Sequence, residues 1–512
     1  MKKMYSLILS GIALMLFQQT GAQELHLEAD GILYVSPSSA VFTANNLSVT
    51  DGGSLTIGSD ATHSGSLIVK GTATGDLTYH KYVGSDKFYV MSAPVSTQNI
   101  NEFITNEDNA VRKSTTSGKY AVSWYNNTNV AGQRWEYYTD ATKAAAGNFV
   151  NGQGYSNARS AAGTYSFTGN MATENVVVSM PAITGHSWSA VGNPYPSFLP
   201  VNNTVIAGNN LLAQNVANLK DEFVAFYFWD GTQYLPKNLT DNALTIAPGQ
   251  AFLINTAANN ATFTFSKDLQ TIQPTGAITL FKTATPEITL HLTSNAVTKT
   301  TKLKYYSNTT KGLDKGYDAG TFEDGTPSLS LDTHLVEDSE GINFTLQCLP
   351  NTDFENSVVP LAVRANANET ITFSATRANL PEGINVFLED TQTKTIKDIT
   401  TASYQVTLKS ALAGIGRFYL HTANSVLSTE DLAFGAISMY KTSNTNLRIT
   451  GPQQTGNAKV LMYDVLGKQV FTTSFKMETV NDIALPVNLA IGIYIIQLAS
   501  NGGTQTKKLI IE

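Results

Sequence analysis

Among 512 residues there is a single cysteine, Cys348, so no disulfide can close within the chain and every core must hold by burial alone. It sits in INFTLQCLPN, an alternating strand pattern with no histidine nearby, and reads as a small buried hydrophobe rather than a nucleophile. Charge is also scarce: Asp, Glu, Lys and Arg make up 14% of the chain, against about 25% in an average soluble protein. No basic block or stripe occurs, and the net charge is −7, which excludes the electrostatic footprint of a nucleic-acid binder. The seven histidines are scattered with no paired metal-ligand spacing, so no zinc motif is present. After the first 22 residues no apolar run is long enough for a transmembrane helix. Nothing calls for a cofactor.

Threonine, serine, asparagine and glycine fill the space that charge leaves, a composition suited to strands and tight turns. At this length several cores are expected, and the fold class read from the pattern is all-β, with several sandwich-like and β-helix-like domains in tandem. The first residues, MKKMYSLILSGIALMLFQQTGAQ, combine a positive start, a short apolar stretch and small residues at Thr20 and Ala22. That is the pattern of a signal peptide over residues 1–22, cut between Ala22 and Gln23, and it implies Sec export to the periplasm.

Residues 23–80 show short strands at 33–35, 47–49, 55–57, 67–69 and 77–79, punctuated by Gly, Asn, Asp and Ser. Such even spacing predicts stacked rungs, a short stalk that must lean on the next domain. Residues 81–275 carry all four tryptophans and read as one aromatic-rich domain with two modest helices, around 141–146 and 209–219. A jelly-roll-like sandwich is its expected form. Residues 276–424 contain eight period-two strand patterns, enough for a second sandwich. A polar linker at 425–431 then leads to a last unit, 432–512.

Three stretches could carry chemistry. GHSWS, residues 185–189, approaches the G-x-S-x-G nucleophile elbow, but Ser189 stands where glycine is required, and the next residues, AVGNPYPS, replace the helix that should start there. A secreted hydrolase is therefore the weakest reading. LDKGYDAGTFEDGT gathers Asp314, Asp318 and Asp324 on a glycine-rich loop, enough oxygens for a calcium candidate although the spacing is not that of an EF-hand. Trp124, Trp135, Tyr137 and Trp229 could form a platform on which sugar rings stack, against the ordinary use of large aromatics in cores. A glycan-binding adhesin is the alternative that this platform represents.

The last unit contains two hairpin signatures. In MYDVLGKQV, Asp464 opens a turn and Gly467 supplies a positive φ. In LAIGIYIIQLASNGGTQTKKLIIE, two strands are joined at Asn501 and Gly502. These residues resemble the C-terminal sorting domains of the Bacteroidetes type IX secretion system. The likeness rests on Tyr463, Asp464, Leu466 and Gly467, on Gly492 and Tyr494, on the Asn501–Gly502 turn, and on Lys507 and Lys508 near the end. Where the commonest subtype opens with a Tyr-Pro-Asn-Pro turn, this chain has Lys441, Thr442 and Ser443.

The resemblance implies a small Ig-like sandwich recognised by the outer-membrane translocon and its sortase. It further implies removal of the tail as the cargo is released or joined to surface lipopolysaccharide. The central region resembles all-β surface proteins of the same bacteria. The expected function is thus an exported surface or secreted protein of structural or adhesion type, without catalysis, that has its tail as the export signal.

Overall fold

In a computed structural model the chain is described over residues 24–180, 186–274, 285–354, 357–423, 437–443, 445–450, 456–478, 480–500 and 503–511. The signal-peptide residues, including Ala22 and Gln23, the 425–431 linker, and Asn501 and Gly502 lie outside the described residues. Strands dominate, and the chain divides into two units, Met1–Thr279 and Leu280–Glu512.

The first unit begins as a three-faced parallel β-helix. Leu25–Leu27, Leu47–Val49 and Ala73–Thr74 stack in parallel on one face. Ile32–Val35, Ser54–Ile57 and Asp76–Val83 form the second, and Ala40–Thr43 with Ser66–Val69 the third. Leu47, Leu55, Ile57, Leu67 and Val69 point inward and are buried, because each coil covers the apolar face its neighbour cannot bury alone. The coil corner at Gly75 needs a residue without Cβ: its φ is +82°, and a Cβ there would meet Val49 O at 2.0 Å.

This β-helix has no core of its own. Strand Asp76–Val83 pairs antiparallel with Gly163–Asn170, so Tyr79 and Leu77 share one cluster with Phe103, Phe149, Tyr155, Tyr165 and Phe167. The expected division at residue 80 therefore cuts through a continuous core. A second cluster gathers Val191, Tyr195, Phe226, Phe252, Phe263 and Phe265. The jelly-roll expectation does not hold. Two four-stranded sheets, one of Tyr89–Met91, Val122–Tyr125, Trp135–Tyr137 and Tyr155–Asn157, the other of Trp188–Gly192, Phe226–Trp229, Tyr234–Lys237 and Ala251–Asn255, join smaller pairs around these two cores. The helices are short, Ile100–Thr105 and Leu211–Asn215.

The second unit opens with an eleven-stranded sheet. It contains the eight strands expected from the period-two patterns, plus Ala319–Gly320, Ser330–Thr333 and Thr395–Asp398. The sheet rolls on itself around Ile288, Leu303, Leu361, Phe373, Leu388 and Phe418. Phe373 and Phe418 touch across the roll, with ring centroids 4.7 Å apart. Tyr404, on the strand at one end of the sheet, donates its hydroxyl to Asp390 near the other end.

After this roll comes a small sandwich of two sheets. One has strands Ser438–Ser443, Asn446–Thr450 and Val480–Ala484; the other has Gln469–Lys476, Asn457–Asp464, Gly492–Ser500 and Gly503–Ile511. Its core is built from Met439, Leu447, Val460, Met462, Ile496, Leu498, Leu509 and Ile511. The last strand lies at the edge of its sheet, paired with Gly492–Ser500 along its whole length.

Candidate functional site

In the tail sandwich, Asp464 closes the strand Asn457–Asp464 and builds the turn after it. Its carboxylate accepts hydrogen bonds from Leu466 N and Lys468 N, both at 2.9 Å. Gly467 N donates to Asp464 O, and Gly467 has a φ of +78°. Asx bonding and a glycine in the left-handed region are what such a tight reversal requires. The motif residues Asp464 and Gly467 are thus the scaffold of the turn, while Leu466 is what it displays.

The register explains where the turn points. Asp464 lies opposite Tyr494, and Gly492 opposite Ile511, so the 465–468 turn, the loop before Gly492 and the end of the last strand share one end of the sandwich. Tyr494 is buried and its hydroxyl donates to Ala490 O at 2.8 Å, tying that loop down. The result is an apolar tip. Leu466 is 90% exposed, Val487 88%, Ile491 82% and Val465 69%, the four most exposed large hydrophobic residues among those described. Single exposed apolar residues are ordinary, but a group concentrated at one end marks an interaction surface.

The two terminal lysines differ in placement. Lys508 is exposed and Lys507 half-buried, and both line a groove with Met439, Lys441 and the loop residues Asp338 and Glu340. Burial holds the Lys507 ammonium below the usual lysine range, against the opposing pull of Asp338 and Glu337. Alternation along the strand puts Lys507 on the same side as the buried Leu509 and Ile511.

The other sequence candidates separate. Tyr125 pairs with Trp135, and Trp124 with Glu136, so Trp124 and Trp135 project from opposite faces of one sheet. Trp124 packs against the first core, Trp135 meets Tyr125 edge-on at 5.0 Å, and Trp229 stands on a different sheet beside Tyr234. The four-residue sugar platform does not form. Tyr137 has another role: it meets Phe88 edge-on at 5.9 Å in the wall of a pocket of about 310 Å³.

The calcium candidate disperses as well. Asp318 is fully buried, and its carboxylate accepts Asp314 N at 2.6 Å and Cys348 N at 2.7 Å. Burial raises its carboxyl to about 7 despite those two donors. Asp314 turns to Thr310. Among the described residues no group of three His, Cys, Asp or Glu side chains could hold a metal ion. Asp314 and Asp318 thus hold the backbone of their own loop. Cys348 is buried and its thiol donates to Tyr317 O at 3.2 Å.

In the elbow-like string, Ser187 Oγ donates to Asn255 Oδ1 at 2.7 Å, and the His186 ring bonds to the Tyr125 hydroxyl. Ser187 thus has an amide as its partner and not a base. A buried Glu389–His421 pair at 2.8 Å lies in the rolled sheet, and the ring's other nitrogen, Nδ1, has no hydrogen-bond partner among the described residues. Among the described residues no helix is long and apolar enough to cross a membrane.

Together the fold and the tail define a class: an all-β cargo protein that ends in a type IX sorting sandwich. Residues 442–512 match the secretion system C-terminal sorting domain. The chain is therefore a type IX secretion cargo, exported to the cell surface or secreted, and its tail engages the type IX machinery. Residues 12–421 match a domain of unknown function, DUF8693, and the chain belongs to that family.

No curated protein matches the sequence significantly. Among solved structures, the glycoside hydrolase domain of Endo-D from Streptococcus pneumoniae R6 is 8% identical over 36% of each chain, with a TM-score of 0.11. The present chain thus spans about a third of that structure. The BSP domain of a biofilm associated protein is 10% identical over 84% of this chain and 91% of its own, with a TM-score of 0.18. Scores this low carry no argument about fold or activity.

Proposed function

We propose that this protein is a non-catalytic surface or secreted protein of adhesion type, and that the export machinery reads its tail through the apolar tip. The observation that carries the sorting part of this reading is the tip itself, Val465, Leu466, Val487 and Ile491 held outward at the end of a sandwich whose core is complete without them. A folded domain gains nothing in stability from four such side chains in water, and apolar groups displayed on a rigid frame are what a partner can desolvate. Asp464, Gly467 and Tyr494 act in this reading as positioning residues, and the translocon and its sortase as the partners. Release into the medium and attachment to surface lipopolysaccharide are the two fates open to the cargo.

The test is truncation after residue 430. The truncated chain stays in the periplasm with its upstream β domains folded, as read by cell fractionation and protease resistance. Undiminished delivery to the surface would overturn the sorting claim. The non-catalytic reading falls if the purified cargo hydrolyses any polysaccharide or ester in a broad substrate screen.

A further inference from the structure

The 310 Å³ pocket beside Tyr137 draws its walls from three separated segments. Phe88, Tyr120 and Tyr137 supply aromatic surface, Arg112, Lys113 and Lys119 supply charge, and among the described residues no carboxylate lines it. In a chain of net charge −7, three cations around one opening are a local inversion of sign. Their states differ. Lys113 is paired with Asp140 at 2.6 Å, outside the lining. Arg112 lies over the Phe88 ring, 4.9 Å from its centroid, and donates one N–H to Asp86 O. That contact fixes the plane of the guanidinium and leaves the rest of its donor fork for an anion. Lys119 is exposed, and its ammonium pairs with no carboxylate among the described residues.

The framework is firm. Tyr120 donates to Asp140, accepts from Lys143, and lies under both the Lys113 and Lys143 ammonium groups. Lys143 and Asp140 are themselves paired at 2.7 Å. Ser114 and Ser117 also line the opening. A mostly apolar concavity of about 300 Å³ with a few convergent polar groups is the form of a small-molecule site. An aromatic wall fits the C–H face of a sugar ring, the serines fit its hydroxyls, and the cations require a negative group on it.

We propose that this pocket binds a carboxylate-bearing sugar unit of an acidic glycan, with Arg112 and Lys119 holding the carboxylate and Tyr120, Tyr137 and Phe88 holding the ring. The proposal rests on the adhesion reading of the cargo and names the ligand class that reading lacks.

The test is isothermal titration of the full mature chain with trigalacturonate and 3′-sialyllactose, each beside its methyl ester, which keeps the rings and removes the charge. Binding of at least one acid is expected, weakened tenfold or more in its ester and on raising the salt. Lys119→Gln, at an exposed side chain, and Arg112→Gln, checked for an unchanged melting temperature, each weaken it by a similar factor. Equal binding of acid and ester, unchanged affinity in both variants, or binding of neither acid overturns the pocket. Adherence of cells to immobilised acidic polysaccharide separates the two levels. Adherence that survives both substitutions defeats the pocket and leaves the adhesion reading standing, whereas wild-type cells that adhere to no glycan surface defeat the adhesion reading itself.

Discussion

The carboxylate of Asp464 accepts a hydrogen bond from Leu466 N at 2.9 Å, so the residue that ends a strand also fixes the most exposed leucine of the tail. Asp464→Ala removes the acceptor for both Leu466 N and Lys468 N. On an exposed turn this costs the sandwich about 1 kcal/mol, read by chemical denaturation. Export falls further than that loss of stability explains, because the turn no longer holds its shape. Asp464→Asn, which keeps one acceptor oxygen, restores part of it.

In the rolled sheet, Arg417 grips Asp390 through two bonds of 2.9 and 2.7 Å, and Asp390 is fully buried at its side chain. Tyr404 adds a third bond at 2.8 Å. Asp390→Ala leaves a guanidinium without its partner and is expected to destabilise this region by about 3–5 kcal/mol. Replacing Arg417 and Asp390 together by Met and Leu costs less than either single change. A double-mutant cycle in denaturant checks the order of the three variants.

His334 is buried, bonds through Nε2 to Asn343 Oδ1 at 2.9 Å, and has its pKa pulled down by burial to about 4. The folded state therefore holds it neutral where the unfolded chain, near 6.5, would take up a proton. Its contribution is present above pH 6.5 and is lost as the pH falls to 4, up to about 2–3 kcal/mol. Asp318 and Asp332, raised by burial to about 7 and about 6, act in the opposite sense, losing stability as the pH rises from about 4 to about 7. The comparison that isolates the histidine is wild type against His334→Gln. The stability difference between them shifts in favour of the variant by that amount between about pH 7 and about pH 4, as followed by urea unfolding.

Much of this was legible in the sequence for identifiable reasons. Period-two alternation located all eight strands expected in the roll, and the Asp464 and Gly467 turn chemistry located the tail's first hairpin. What alternation does not encode is register. Trp124 and Trp135 read as neighbours on a platform, but pairing Tyr125 with Trp135 sends them to opposite faces, and a shift of one residue would reverse that outcome. The jelly roll failed similarly, since strand patterns do not say which sheet a strand joins. The cation-lined pocket depends on Phe88, the 112–121 segment and Tyr137 coming together, and no spacing announces it. The exposure of Val487 and Ile491 is likewise set by the loop before the strand Gly492–Ser500, which no periodicity describes.

Leu466 and Ile491, 90% and 82% exposed at the same end of the tail, are the side chains that the proposed recognition through the tip requires. Replacing both by serine removes apolar surface that touches no core, so the melting temperature stays close to wild type. The decisive measurement is surface labelling of intact cells that express the Leu466→Ser/Ile491→Ser chain beside wild type. Recognition through the tip predicts that the double variant accumulates folded in the periplasm and escapes the label. Labelling equal to wild type would show that the machinery reads the tail elsewhere.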